Sequence, residues 1–234
     1  MARHVLTKLC FLMDCTGSMG PWIDAAKTKI QEMTDKVIAD NPGTLVEVAL
    51  VGYRDHGDIQ RFHVVDFTEP ANVMRELRLV DAEGGDDEAE DVVGGLMRVL
   101  RLSWDGADVQ MVVHIADAPA HGLRYHSPNI SDRFPEGDPS GWDPAEFINR
   151  MSVGGMHYTF VKITSATDTM LDAFHNAWTN RGTFRVIDLR PQHYDRRLGT
   201  PRNGNMSDLL SSAVSNHVSQ VVSRYTASQD PGAE

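Results

Sequence analysis

Three polar segments of the sequence combine carboxylates and hydroxyls close to the ends of apolar runs. Asp14, Thr16 and Ser18 occupy alternate positions directly after the first apolar run. A second segment, 84–91, is rich in Asp and Glu, and Asp117 ends a later apolar run. Hard divalent cations prefer oxygen ligands of these kinds. The residue types therefore indicate a site for Mg²⁺, Mn²⁺ or Ca²⁺, provided that the fold brings the three segments together.

The elements that must position these segments alternate between short apolar runs and helical patterns. This alternation predicts an α/β fold, in which a doubly wound, mostly parallel sheet of six strands has helices on both faces. The third strand follows the second after the short connection at 54–60, so we expect it to be an antiparallel edge strand. The expected strands are 9–13, 45–53, 61–67, 109–117, 157–163 and 183–189, and the expected helices are 21–40, 69–80, 88–100, 144–151, 168–178 and 206–225.

The predicted topology places the three segments at one rim, because ligands of open α/β sheets bind beyond the carboxyl ends of the strands. Each segment alone has a simpler explanation. Asp14 or Ser18 could cap the helix that follows, and the carboxylates of 84–91 could complement a helix dipole. The coincidence of three such segments at one rim favours a metal site.

Four segments of the sequence resemble von Willebrand factor type A (vWA) domains, and most of all those associated with alpha-kinases. They are MDCTGSMGPW, GYRDHGD, GGDDEAEDVVGGL and HIADAPAHG. The resemblance implies a Rossmann-like sheet with a metal-ion-dependent adhesion site at its rim. It assigns Asp14, Thr16, Ser18 and Asp117 to the metal, with Glu90 as the preferred ligand of the middle segment. Asp87 is the alternative ligand there, since this segment lacks the threonine that is commoner in the family.

Residues beside the rim are candidates for supporting the metal or contacting a partner. We expect Asp55 to hold a metal-bound water or to orient the Ser18 hydroxyl. Arg54 and His56 lie in the same segment, and Arg54 is expected to pair with a rim carboxylate. His121 follows Asp117 closely. The long segment 118–142 holds further candidates, namely the aromatic residues Tyr125, Phe134 and Trp142, which either contact a partner or pack onto the domain.

The composition of the chain narrows the classes of partner that we expect, and it bears on where in the cell we expect the protein. The chain has 22 basic and 33 acidic residues, a net charge of −11, which argues against binding to nucleic acid or to an anionic membrane. No run of 18 apolar residues is present, and the N-terminal run reads as a core strand rather than a signal peptide. We expect a cytoplasmic protein with one domain at 1–226 and a disordered tail at 227–234.

Two functions are consistent with these features. The first is a binding module whose metal accepts an Asp or Glu from a protein partner, which could be a kinase or another domain. The alternative is a metal-assisted hydrolase at the same rim, with His121 or His56 as the base. We favour the non-enzymatic function, because the sequence lacks a P-loop and a nucleophile elbow. A Cys15 nucleophile would need an arginine at position 21, which is Pro21.

Overall fold

Strand β1 (Val5–Asp14) lies in the interior of the six-stranded sheet, and every side chain from Thr7 to Asp14 is buried. The computed structural model describes residues 4–179, 181–189, 194–195, 200–201 and 206–229. The other strands are β2 (Thr44–Tyr53), β3 (Phe62–Thr68), β4 (Val109–Ala116), β5 (His157–Lys162), β6 (Phe184–Asp188), β7 (Tyr194–Asp195) and β8 (Thr200–Pro201). The helices are α1 (Gly20–Asp40), α2 (Pro70–Leu77), α3 (Val92–Val99), α4 (Pro144–Val153), α5 (Asp168–Ala177) and α6 (Met206–Ser228).

The main sheet has the strand order β3-β2-β1-β4-β5-β6, and β7 pairs with β8 separately. All neighbours in the main sheet are parallel except β2 and β3, which confirms the predicted antiparallel edge strand. The chain moves outward from β1 to β3 and then returns to place β4 beside β1. The strand order therefore reverses between β1 and β4, and a crevice is expected beyond their carboxyl ends.

Two hydrophobic cores cover the sheet, one on each face. Phe11 and Met13 of β1 pack in the core formed with α1, α2 and α6. Leu12, which points the other way, packs in the core formed with α3, α4 and α5. Each large apolar side chain that is fully buried stabilises the folded state by about 1.5–3 kcal/mol. This arrangement confirms the predicted doubly wound fold, and it fixes the end of β1 between two packed layers.

Strand β1 begins at Val5 rather than at 9, and helix α2 ends at Leu77 rather than at 80. Two further predicted boundaries also differ from the structure. Helix α3 begins at Val92 rather than at 88, because Asp91 caps it by accepting a hydrogen bond of 2.7 Å from the Gly94 backbone N–H. Helix α6 continues to Ser228, so 227 and 228 belong to a helix and not to the expected tail. Residues 230–234 lie outside the described part of the chain. Among the described residues, no helix is both long and apolar enough to cross a bilayer.

Candidate metal centre

Asp14 is the last residue of β1 and has no exposed surface. Its Oδ1 atom accepts hydrogen bonds from the backbone N–H of Thr16 at 2.9 Å and from the Thr16 hydroxyl at 2.7 Å. Its Oδ2 atom is buried and has no hydrogen-bond partner in the described structure. A buried carboxylate oxygen without a donor is costly, so this atom is available for a cation.

Asp117 follows β4, on the other side of the point where the strand order reverses. Ser18 of the first segment and Asp117 line the same cavity, and the Thr164 hydroxyl donates a hydrogen bond to the Asp117 backbone oxygen. The Oδ1 atom of Asp117 is buried and also lacks a partner among the described residues. The first and third predicted segments thus meet, as the topology requires.

Glu90 comes from the middle segment and is 3% exposed. Its backbone N–H donates to the Pro119 carbonyl at 2.9 Å, in a single bridge that joins the second segment to the third. Gly85 approaches the carboxylate so closely that a Cβ atom there would lie 2.7 Å from Glu90 Oε1, and its φ of +80° suits glycine. The Oε2 atom of Glu90 is buried without a hydrogen-bond partner in the described part of the chain.

These carboxylates repel one another in the absence of a cation. Burial, followed by the charge of Asp117, raises the pKa of Asp14 to about 7. Burial, followed by the charge of Asp14, raises the pKa of Glu90 to about 10. Burial also raises the pKa of Asp117, although the nearby Ser18 hydroxyl opposes the shift. A divalent cation would reverse these shifts, because it stabilises the ionised form of each carboxyl group.

A cavity of about 410 Å³ opens at this rim, and we call it the rim cavity. Carboxylates and hydroxyls dominate the polar part of its lining, so its donors are hard oxygens that fit Mg²⁺, Mn²⁺ or Ca²⁺. The cavity is lined by Thr16, Gly17, Ser18, Gly84, Gly85, Asp87, Glu88, Glu90, Asp117, Ala118, Thr164, Ser165 and Ala166.

Arg54 is buried beneath the rim, and its expected pairing with a rim carboxylate is wrong. Its guanidinium instead donates to the backbone oxygens of Cys15 at 3.2 Å, Gln60 at 3.0 Å and Asp81 at 2.7 Å. Arginine suits this role because its donors form a rigid fork. Arg54 therefore ties the first metal segment to its neighbouring loops.

Asp55 and His121 form a buried pair next to the rim. The Nε2 atom of His121 lies 2.7 Å from Asp55 Oδ1, and its Nδ1 atom lies 2.7 Å from Asp132 Oδ1. Burial alone would lower the pKa of His121, but its hydrogen bonds to the two carboxylates give a net increase. Asp55 is thus held by His121, and no hydrogen bond joins it to the Ser18 hydroxyl in the described structure.

Asp87 and His56 lie in different clusters. The backbone N–H of Arg133 donates to Asp87 Oδ2, while Asp87 Oδ1 is buried and has no partner within the described structure. Burial raises the pKa of Asp87. The Nε2 atom of His56 lies 2.9 Å from Asp138 Oδ2 and 3.5 Å from Asp91 Oδ1.

Tyr125 is buried rather than presented to a partner. It is 4% exposed, its hydroxyl donates to Asp143, and its ring packs edge-on against Phe174. The expectation that it contacts a partner is therefore wrong, and the alternative of packing onto the domain holds for this residue. Trp142 differs, because 43% of its surface is exposed.

Cys15, the nucleophile considered from the sequence, is 2% exposed. Its thiol points back to the Met13 carbonyl at 3.5 Å. Burial, followed by the charge of Asp14, raises the pKa of Cys15 to about 12, so the thiol is neutral at physiological pH. A neutral, buried thiol is a poor nucleophile.

Sequence reasoning missed the residues that support the rim through long-range contacts. Asp132 accepts hydrogen bonds from His121 and His126, and burial opposed by its hydrogen bonds leaves its pKa lowered to about 2. Thr164 bonds to the backbone of Asp117 from the loop after β5. These residues carry no motif. The only available signal was that polar residues follow a strand or lie in the long segment at 118–142.

The strand order and the rim loops define a Rossmann-like α/β domain. Residues 8–128 match the von Willebrand factor A domain family, and the chain therefore belongs to this family. Alpha-protein kinase vwkA of Dictyostelium discoideum is 32% identical over 170 residues, which are 71% of this chain and 27% of the kinase. This similarity confirms the predicted kinship with vWA domains of alpha-kinases. The chain spans about a quarter of the length of that relative.

Solved structures confirm the fold. The pilus adhesin SpaC of Lactobacillus rhamnosus GG superposes with a TM-score of 0.61 at 12% identity, over 96% of this chain and 30% of the adhesin. The SpRpn10 VWA domain gives a TM-score of 0.54 at 16% identity, over 88% of this chain and 94% of that domain. The vWA fold supports a protein-interaction module.

Proposed function

We propose that the chain is a divalent-metal-dependent protein-binding module. Asp14, Thr16, Ser18, Glu90 and Asp117 would hold the cation, directly or through water. The observation that carries this proposal is a set of buried carboxylate oxygens without hydrogen-bond partners in the described structure. They are Asp14 Oδ2, Glu90 Oε2 and Asp117 Oδ1.

The cation would supply an electrophile for a carboxylate of the partner. Without it, the rim is acidic and repels an incoming Asp or Glu, and the net charge of −11 adds to this repulsion. Mg²⁺ keeps some of its water ligands when bound to proteins, and a partner carboxylate can replace one of them. Hydroxyl ligands such as Thr16 and Ser18 leave more positive charge on the cation than carboxylates would.

The partner in this proposal is a protein that presents an Asp or Glu. The similarity to Alpha-protein kinase vwkA makes a kinase domain one candidate, and other domains are equally compatible. A cytoplasmic location belongs to the same proposal. The acidic net charge favours proteins over nucleic acids or anionic membranes as partners.

The hydrolase alternative receives no support from the histidines. Both ring nitrogens of His121 are engaged with carboxylates, and His56 is held by Asp138. Neither side chain lines the rim cavity. A general base needs a free nitrogen within reach of the substrate, so we do not propose catalysis.

Metal binding is tested by isothermal titration calorimetry of the protein with Mg²⁺ and with Mn²⁺. Ser18→Ala is the informative variant, because Ser18 is exposed and belongs to neither hydrophobic core, so we expect the variant to fold like the parent. Ser212→Ala is the matched control, since Ser212 is an exposed serine on α6. We expect saturable binding by the parent and the control, and binding weakened at least about tenfold in Ser18→Ala. No binding by the parent would refute the proposal.

Partner recognition is tested by selecting peptides from a displayed random library in Mg²⁺ and eluting them with a chelator. We expect the eluted peptides to share an Asp or Glu, and to lose binding when it becomes Asn or Gln. Binding that persists in chelator, or peptides without an acidic residue, would contradict a metal-bridged contact.

A further inference from the structure

A second group of possible metal ligands lies beside the rim centre and shares none of its five proposed ligands. Asp55, Asp87 and His121 each offer one ligand atom, and these atoms all lie within 4.8 Å of one another. The three residues come from different loops, after β2, before α3 and after β4. A nitrogen and two carboxylate oxygens therefore converge at one point.

Two buried oxygens in this group have no hydrogen-bond partner in the described part of the molecule. They are Oδ2 of Asp55 and Oδ1 of Asp87. The Asp55 side chain is 1% exposed, so water does not satisfy it from outside. Buried carboxylates are normally paired or bound to a metal, and the single histidine between them does not supply donors to these atoms.

His121 is oriented in the way that metal-binding histidines usually are. Its Nδ1 atom bonds to Asp132, which leaves Nε2 facing Asp55. Asp132 is itself fixed by the Gly122 backbone N–H at 2.8 Å and by His126 Nε2 at 2.9 Å. A carboxylate behind a histidine fixes the ring and increases its basicity as a ligand.

We propose that Asp55, Asp87 and His121 form a second cation site, which takes a transition-metal ion of the Zn²⁺ or Mn²⁺ type. Imidazole favours Zn²⁺, and carboxylates favour harder ions, so a mixed set suits an ion between these extremes. Bonds of about 2.1 Å place tetrahedral ligand atoms about 3.4 Å apart. The ion would replace the 2.7 Å contact between His121 and Asp55 and draw Asp87 inward.

Two of the three side chains border a cavity. Asp87 lines the rim cavity, and His121 lines a second cavity of about 360 Å³. The second site is thus adjacent to the rim centre and shares no proposed ligand with it. The inference goes beyond the proposed function and does not rest on it.

A comparable cluster of His56, Asp91 and Asp138 does not carry the same inference. Asp91 is already paired with a positive charge, because Arg61 Nη2 lies 2.5 Å from its Oδ2, and the Gly94 backbone N–H donates to its Oδ1. Asp138 accepts from the Ser140 backbone N–H at 2.8 Å and lies against His56. Its carboxylates therefore have partners, unlike the free oxygens of Asp55 and Asp87.

The direct test is a crystal of the full chain soaked in ZnCl₂ with excess Mg²⁺, with diffraction recorded at the zinc absorption edge. We expect an anomalous peak bounded by Asp55, Asp87 and His121. Anomalous density only at the rim carboxylates, or no peak at all, would overturn the proposal. This readout uses the unmodified protein, so it does not depend on the folding of any variant.

Binding in solution provides the second test, by equilibrium dialysis with Zn²⁺ in excess Mg²⁺ and metal analysis by mass spectrometry. His121→Asn and Asp87→Asn should each lower zinc affinity about 100-fold or more, and Asp132→Asn about 10–100-fold. His157→Asn is the matched control. His157 is the first residue of β5, so it lies at the end of the sheet opposite the rim, where its ring bonds to Thr183. It should bind zinc like the parent.

The two proposed sites are separated by comparing Ser18→Ala with His121→Asn. We expect Ser18→Ala to weaken Mg²⁺ binding at least about tenfold and to keep its zinc affinity, whereas His121→Asn should keep its Mg²⁺ affinity and weaken zinc binding about 100-fold or more. Equal zinc binding by His121→Asn and His157→Asn would refute the second site. A parent protein that does not bind Mg²⁺ would refute the rim centre and leave the second site standing.

Discussion

Glu90→Gln is expected to stabilise the metal-free protein, which is unusual for a change at a buried residue. Glu90 is 3% exposed, and its Oε2 atom has no partner in the described structure. Burial and the charge of Asp14 raise its pKa from 4.5 to about 10. At neutral pH the folded protein therefore holds a proton on Glu90 that the unfolded chain releases.

The size of the effect follows from proton linkage. Between pH 4.5 and the raised pKa, the folded state binds one proton more than the unfolded state, so the free energy of unfolding falls as pH rises. The slope is about 1.4 kcal/mol per pH unit, which gives a cost of about 3 kcal/mol at pH 7. Glutamine removes this cost but buries an amide with unmet hydrogen bonds, at about 1 kcal/mol. The expected net gain at pH 7 is about 2 kcal/mol.

The measurement is urea unfolding in chelator at several pH values from 4.5 to 8. Relative to the parent, Glu90→Gln should gain stability steadily as pH rises, from about 1 kcal/mol less stable near pH 4.5 to about 2 kcal/mol more stable at pH 7. Glu83→Gln, at an exposed glutamate of the neighbouring loop, should follow the parent. In Mg²⁺ the order should reverse, because a ligand at 100 times its Kd stabilises the parent by about 2.7 kcal/mol. A variant that is less stable than the parent at pH 7 in chelator would refute the reasoning.

Two further substitutions test the support of the rim. Gly85→Ala should weaken Mg²⁺ binding in calorimetry by about tenfold or more, because its Cβ would press against Glu90. Gly57→Ala is the control, since Gly57 also has a positive φ but lies in open space, and it should leave Mg²⁺ binding unchanged. Equal effects of the two would count against a close-packed metal loop. Arg54→Lys should lower the free energy of unfolding by about 3 kcal/mol, since a lysine loses the fork that binds the carbonyls of Cys15 and two neighbouring loops. A loss below about 1 kcal/mol would argue against that role.

Most of the fold could be predicted from the sequence, because local patterns determine most of its helices and strands. The run at 9–13 has no polar residue, as expected for a strand covered on both faces, and it lies within β1. The short connection at 54–60 gave the antiparallel pairing of β2 and β3. Helix α3 was predicted too long, since an acidic stretch before a helix reads like its first turn. The cap of Asp91 and the bridge of Glu90 decide its start.

The rim could be predicted only in part from the sequence, because the residues that hold its carboxylates in place come from loops far apart in the chain. The positions of Asp14 and Asp117 followed from topology alone. The bond between His121 and Asp55 spans 66 residues, and nothing local to either residue indicates it. The two alternatives for Tyr125 stayed open, because an aromatic residue in a polar loop does not reveal whether it faces inward. Its burial is explained by Asp143, which caps α4, and by Phe174 of α5, both of which come later in the chain.

The two buried cysteines are internal probes of how often different parts of the protein open. Cys10 lies in the middle of β1, and Cys15 lies one residue beyond its end, within the first metal segment. An alkylating reagent reaches Cys10 only when the whole sheet opens, whereas Cys15 becomes accessible when the rim loops lift. The difference between their labelling rates therefore reports how often the rim opens without global unfolding, and it does so in the natural sequence without an attached probe.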